Sequence, residues 1–247
     1  MNNVISPMLK TSKDQKNVIA ALDIGTSKVV VIVAEIGTDG ILKIIGKGQH
    51  VSKGLKKGVV INIDNTKQAI QRAVEEAELM ADCKIPEVYT GIAGSHIKSI
   101  NSHGMVKIKD DEVTQMDVDQ VRETAEAVNL STDQEVLHVI DQEYIIDDQQ
   151  DIKEPIEMSG KLLNVKVHII SGSIAARQNI IKCIKQCGLE VIDLVFQPLA
   201  SSEAVLTQDE KELGVCLVDI GGGTTDIALI KNGAFQHTAV ILSLIHI

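Results

Sequence analysis

The sequence predicts an α/β protein of two lobes, with a further α/β subdomain inserted into the first. Three observations predict it. The 247 residues are 44% hydrophobic but include only two Tyr, two Phe and no Trp, so Val, Ile, Leu and Ala must fill the core. β-Branched residues in short runs favour strands, and a chain of this length divides more readily into two or three units than it packs around one centre. A strand-and-turn pattern occurs twice, nearly 200 residues apart, at Asp23-Ile24-Gly25 and Asp219-Ile220-Gly221. Charge is the third observation. The formal net charge is −10, yet residues 110–154 hold fifteen acidic residues against Arg122 and Lys153, which leaves the remainder about +3 by difference. A solvated acidic face is the commoner origin of such a stretch, and a subdomain with its own surface and partner is the sharper one.

The elements follow in order. Residues 1–16 are polar, without the apolar run of a signal peptide, and read as a flexible N-terminal segment. Asn17–Ile24, Lys28–Ile36 and Ile41–His50 read as three strands. Turns as short as Thr38-Asp39-Gly40 make neighbours antiparallel. Asp64 reads as the N-cap of a helix whose buried face is Ala69, Ile70, Ala73, Val74, Ala77, Met80 and Ala81. Val88–Ala93, Gly104–Ile108 and Leu137–Ile146 are strand-like, and Thr114 reads as the cap of a helix running to about Val128. Leu162–Ser171 is a buried strand, followed by a helix from about Ile174 to Cys187 that Gly188 closes. Leu189–Phe196 is a strand, and Pro198 suits a helix start. Leu213–Ile220 leads into Gly221-Gly222-Gly223-Thr224-Thr225-Asp226, and Ile227–Ile230 with Ala234–Ala239 form a hairpin around Lys231-Asn232-Gly233. The organisation expected is a first lobe of residues 17–84 and 163–196, an inserted subdomain of 85–162, and the start of a second lobe at 197–241.

The repeated turn has the chemistry of a phosphate loop. Glycines let backbone N–H groups approach a phosphate, and consecutive N–H groups form an anion-binding concavity. Gly25, Thr26, Ser27 and Lys28 in the first copy, with Gly221, Gly222, Gly223, Thr224 and Thr225 in the second, are the candidate phosphate-binding residues. Lys28 adds a positive charge and the hydroxyls add donors. An Asp beside such a loop repels phosphate unless a cation lies between them. Asp23 and Asp219 therefore read as Mg²⁺-organising groups, acting through water because Mg²⁺ keeps much of its hydration. Either loop alone is an ordinary turn; two strand-flanked copies point to two similar lobes around one nucleotide.

This pattern resembles the actin, heat-shock-chaperone and sugar-kinase superfamily, with residues 23–28 as its first phosphate motif and 219–226 as its second. The resemblance implies an actin-like, ribonuclease-H-like two-lobe fold that binds ATP with Mg²⁺. In the place of the superfamily's connecting motif stands Gln197-Pro198-Leu199-Ala200-Ser201-Ser202, which implies Gln197 as the catalytic group that orients the attacking water. A Gln is a weak base, so slow hydrolysis is expected. The plain alternative is a residue that merely precedes a helix.

Thr90-Gly91-Ile92-Ala93-Gly94-Ser95-His96-Ile97, Asn101-Ser102-His103-Gly104-Met105-Val106 and Lys57-Gly58-Val59-Val60-Ile61-Asn62-Ile63-Asp64 resemble the FtsA family of bacterial cell-division proteins, over roughly residues 17–241. That family carries an extra subdomain, 1C, where residues 85–162 fall. The resemblance implies a protein that polymerises with itself and tethers filaments of the tubulin-like FtsZ to the inner membrane at the division septum. Residues 85–162 would contact neighbouring subunits or later division proteins. The family's second lobe continues into an adenosine-binding segment and ends in an amphipathic membrane helix. Neither is read in this sequence, so the second lobe is expected to be incomplete, the fragment itself soluble, and residues 242–247 an artefactual tail.

Other readings are weaker. The acidic balance argues against nucleic acid, whose phosphates need a Lys/Arg footprint. A small-molecule kinase of the same superfamily would need a general base near the γ-phosphate, and no candidate stands out. A pilus-assembly relative shares the architecture. Cys83, Cys183, Cys187 and Cys216 lack zinc spacing and read as buried free thiols. His96 and His103 have no partner at ligand spacing, and Ser171-Gly172-Ser173 reads as a strand-to-helix turn.

Overall fold

Alternating burial along the first two strands sets the architecture. Ala20, Leu22 and Ile24 point to one side of the first strand, and Val29, Val31 and Val33 of the second are fully covered on that same side. The computed structural model describes residues 17–242. The expected segment 1–16 and residues 243–247 of the expected tail lie outside the described residues.

The chain begins with β1 (Val18–Ile24), β2 (Lys28–Ile36), β3 (Leu42–Val51), the short pair β4 (Leu55–Lys56) and β5 (Val59–Val60), then α1 (Ile63–Ala81) and β6 (Glu87–Ile92). It continues through β7 (Lys98–Lys107), α2 (Gln115–Glu126), β8 (Gln134–Ile146), β9 (Gln149–Ile152) and β10 (Leu162–Ser173). It returns by α3 (Ile174–Lys185) and β11 (Glu190–Phe196), and proceeds to α4 (Gln197–Val205), α5 (Gln208–Leu213), β12 (Val215–Ile220), β13 (Thr224–Lys231) and β14 (Ala234–Leu242).

Three larger sheets result. The first lobe is a five-stranded sheet in the order β11-β6-β1-β2-β3, with β6 parallel to both β1 and β11. The inserted subdomain is an antiparallel sheet in the order β7-β10-β8-β9 under α2. The second lobe contributes the antiparallel sheet β12-β13-β14. The first core gathers Leu22, Val29, Val31, Ile70, Val88, Ile92, Ile184 and Phe196, and the inserted subdomain has its own core of Ile108, Val121, Leu163, Val165, Val167 and Ile169.

The sheets move the expected boundaries of 85 and 162. β6 lies inside the first-lobe sheet and β10 is central in the inserted one, so the insertion runs from about β7 through β10. An apolar run such as Leu162–Ser171 fits a buried strand of either sheet, and only pairing decides which.

Several local signals hold and one shifts by two residues. Thr114 forms a reciprocal capping box with Asp117. Gly188 has φ +81° after α3, and Asn232 and Gly233 both have positive φ at the hairpin turn. Asp64 is not the cap of α1: Asn62 is, its side chain accepting from the Asn65 N–H at 2.9 Å, while Asp64 sits in the first turn where its charge suits the helix dipole. Met80 is 61% exposed, and Thr66 takes a place on the buried face instead. α1 lies so close to β3 that a Cβ on Gly48 would overlap the Ala73 carbonyl, and the glycine permits this approach. Cys216 is exposed on the edge strand β12, unlike the buried thiol expected there.

Candidate functional site

The two loops face each other across a cleft of about 720 Å³. Gly25, Thr26, Ser27 and Lys28 line one wall, Gly221, Gly222, Gly223 and Thr224 the other, and Asp23, Asp219 and Gln197 lie between them. Each loop closes on itself in the same way: the Gly25 N–H donates to the Lys28 carbonyl at 3.0 Å, and the Gly221 N–H to the Thr224 carbonyl at 2.9 Å. The likeness seen in sequence is therefore a likeness of backbone hydrogen bonding.

The loops touch because the second is bare. A Cβ on Gly222 would stand 2.8 Å from the Ser27 Cβ, and one on Gly223 would stand 2.7 Å from the Thr26 hydroxyl. Neither glycine has room for a side chain. Thr26 Oγ1 accepts from the Gly58 N–H at 3.2 Å, which anchors the first loop to the segment before α1.

Thr225 does not join the others. It is fully buried and does not line the cleft, because side chains alternate along β13 and its neighbours Thr224 and Asp226 take the cleft side. The expected phosphate contact from Thr225 is corrected on that ground.

Asp226 is the residue that sequence reasoning missed. β12 and β13 place it directly opposite Asp219. It is 6% exposed, Oδ1 has no hydrogen-bond partner, and Oδ2 accepts from the Thr224 hydroxyl at 3.3 Å. Burial first and the Asp219 charge second push its carboxyl up to about 6, against the lowering effect of the Thr224 hydroxyl. The available signal was its place just past a tight turn on a strand returning beside Asp219, which puts two carboxylates side by side.

Asp23 opens to the cleft, yet the surrounding walls withdraw enough water to raise its pKa. Asp219 adds to that rise and Lys28 opposes it. Gln197 is the first residue of α4, set by Phe196, whose side chain is buried and whose N–H donates to His138 Nε2 at 2.9 Å. Its Nε2 donates to Asp23 Oδ1 at 2.6 Å, and Gly91 leaves the space its side chain occupies. Ser201, one turn further along α4, lies 3.5 Å from Asp219 Oδ2.

The donor set fits a hydrated cation. Asp219 and Asp226 present adjacent negative charge, one of their oxygens is buried without a partner, and a positive ion would relieve both conditions. Among the described residues no three carboxylate, imidazole or thiol groups converge to enclose a metal, so these carboxylates suit an ion that keeps its waters, as Mg²⁺ does. Elsewhere, both ring nitrogens of His96 are buried without partners and burial lowers its pKa, while Ser173 caps α3. Among the described residues no helix is long and apolar enough to cross a membrane.

Comparison with known proteins agrees with this architecture. The family described as "SHS2 domain inserted in FTSA" matches residues 94–171, the span of β7 through β10. The cell division protein FtsA of Pseudomonas aeruginosa is 56% identical over 223 residues, covering 90% of this chain and 54% of that protein. FtsA of Neisseria meningitidis serogroup B is 56% identical over 229 residues, covering 93% of this chain and 55% of that protein. The chain thus spans about half the length of the curated relatives it matches. Among solved structures, a PilM-PilN type IV pilus biogenesis complex superposes with a TM-score of 0.60 at 16% identity, covering 90% of this chain and 61% of that one. That likeness carries the fold, which is the actin-like two-lobe α/β fold, and the far higher sequence identity selects the family within it. By that identity, and by the SHS2 insertion at residues 94–171, the chain belongs to the FtsA family of cell-division proteins.

Proposed function

We propose that the cleft binds the phosphates of ATP with Mg²⁺, and that the nucleotide switches a cell-division scaffold. One observation carries this reading: two glycine turns with the same internal hydrogen bond face each other, with Asp23, Asp219 and Asp226 beside them. Backbone N–H groups of both turns, the Thr26 and Ser27 hydroxyls and the Lys28 ammonium hold phosphate oxygens, while Thr224 lines the cleft with its hydroxyl donated to Asp226. A bound Mg²⁺ supplies the positive charge that lets phosphate approach Asp219 and Asp226. Asp23 fixes the Gln197 amide through its Nε2, which leaves Oε1 to accept from a water. A carboxamide orients water without taking its proton, so turnover is slow and ATP acts mainly by joining the lobes.

The family supports the wider reading. The whole protein polymerises, tethers FtsZ filaments to the inner membrane at the septum, and recruits later division proteins through the inserted subdomain. A fluorescent ATP analogue tests the first step: its binding should require Mg²⁺ and weaken about tenfold or more in Asp219→Ala. Binding that ignores both Mg²⁺ and the substitution sinks the reading.

A further inference from the structure

The inserted subdomain is held to the first lobe by His138, which accepts from the Phe196 N–H, and by the Glu135–Arg177 ion pair, and a second set of its polar contacts runs to the second lobe. One face of its sheet packs under α2. On the other face Ile97 and Ile170 join the first-lobe core. Beside them Ser99, Asn101, Gln142 and His168 meet β14. Past these, the same face borders a polar cavity of about 480 Å³.

His168 is 1% exposed and lies cross-strand from Asn101. Its Nδ1 is 2.6 Å from Asn101 Oδ1, and its Nε2 is 3.0 Å from Thr238 Oγ1. A carboxamide oxygen only accepts, so Nδ1 carries the hydrogen and Nε2 accepts from the Thr238 hydroxyl. Around this centre Asn101 Nδ2 donates to the Gln236 carbonyl at 3.1 Å. Ser99 Oγ donates to the Thr238 carbonyl at 3.1 Å, and Gln142 Nε2 to the Phe235 carbonyl at 2.7 Å. At the hairpin tip Lys153 Nζ donates to the Asn232 carbonyl. Burial, with the His237 charge second, holds the His168 pKa down at about 4, so the ring keeps the neutral form that this network uses.

β14 is laddered to β13 from Lys231↔Ala234 to Thr224↔Leu242, and Thr224 belongs to the second phosphate loop. The hairpin is thus one stiff element with the cleft at one end and the inserted subdomain along its side. The Gln142 and Thr238 bonds at its centre are buried, where hydrogen bonds are stronger than in water and polarise one another.

We propose that His168 and Asn101 latch the inserted subdomain to the β13–β14 hairpin, so that the subdomain is coupled to the second phosphate loop as well as to the lobe into which it is inserted. The latch stands on geometry alone, and only the claim that nucleotide drives it rests on the function proposed above. Hydrogen exchange on the 247-residue chain separates the two. Without nucleotide, His168→Ala should speed exchange at residues 235–238 about tenfold while β1 and β6 stay unchanged. Because an emptied His168 site can unfold its sheet, Thr238→Val repeats the test from the hairpin side, keeping the shape and removing the hydroxyl. Unchanged exchange at 235–238 in both variants overturns the latch. With ATP and Mg²⁺, protection that spreads from residues 219–226 into β7 and β10 in the unaltered chain, but stops at β14 in Thr238→Val, supports the coupling. Protection confined to 219–226 in the unaltered chain overturns the coupling. No protection at 219–226 overturns the nucleotide reading while the latch result stands.

Discussion

The two glycine turns share the Asp-Ile-Gly that opens them and the hydrogen bond that closes them, and differ at the three side chains that follow the glycine. Asp23 pairs across its ladder with Val30, whereas Asp219 pairs with Asp226. The first loop carries Thr26, Ser27 and Lys28; the second carries Gly222, Gly223 and Thr224 at the same steps. The difference teaches that the copies are complementary. On the function proposed above, the first would supply a cation and two hydroxyls for an anion. The second would supply a carboxylate pair for a cation, and its bare backbone fits against the first loop's side chains. Two identical loops could not approach this closely, because side chains on both would collide.

The largest break in that complementarity is Gly222→Val. Its side chain would enter the space of Ser27, wedge the loops apart and weaken ATP binding by about 100-fold, measured by analogue titration. Binding within a few-fold of the unaltered chain would mean that the loops have room to spare.

Asp226→Asn sharpens the contrast between the two ladders. The folded carboxyl titrates near 6 against an ordinary value of 3.8, so the folded state binds its proton more tightly. The stability this group contributes is complete below about pH 4 and lost as the pH rises through about 6. At pH 7.5 without Mg²⁺, Asp226→Asn should therefore stabilise the protein by roughly 1–3 kcal/mol, and the gain should fade towards pH 4. Thermal melts at the two pH values check this, and a gain equal at both would contradict the buried charge. Mg²⁺ with ATP should reverse the advantage at pH 7.5.

Gln197→Ala should slow ATP hydrolysis about tenfold while leaving affinity within a few-fold, read by phosphate release at saturating ATP. Equal losses in affinity would make Gln197 a binding group. Thr26→Val is the smallest change: the Gly58 N–H loses its acceptor, costing about 1 kcal/mol and a few degrees of melting temperature. A Tm equal to the unaltered chain's would show that this anchor contributes nothing.

The sequence by itself determined most of what depends on neighbours along the chain, the α1 cap at Asn62 excepted. The Thr114 cap, the Gly188 helix end, the Asn232-Gly233 turn and the Asp-Ile-Gly loops each need only a few adjacent residues, and all were legible. Family membership was legible too, because long motifs such as Thr90–Ile97 are specific. Tertiary structure decided what depends on register and pairing. Asp226 faces Asp219 and Thr225 is turned from the cleft because an antiparallel ladder closes with one phase. β10 belongs to the inserted sheet because its pleated edges meet β7 and β8. His168, silent in the sequence, becomes the centre of the junction only once Asn101 and Thr238 arrive from 67 and 70 residues away. Local propensity acts over a few residues, whereas strand pairing is chosen by the burial of whole faces, and no short stretch of sequence contains that choice.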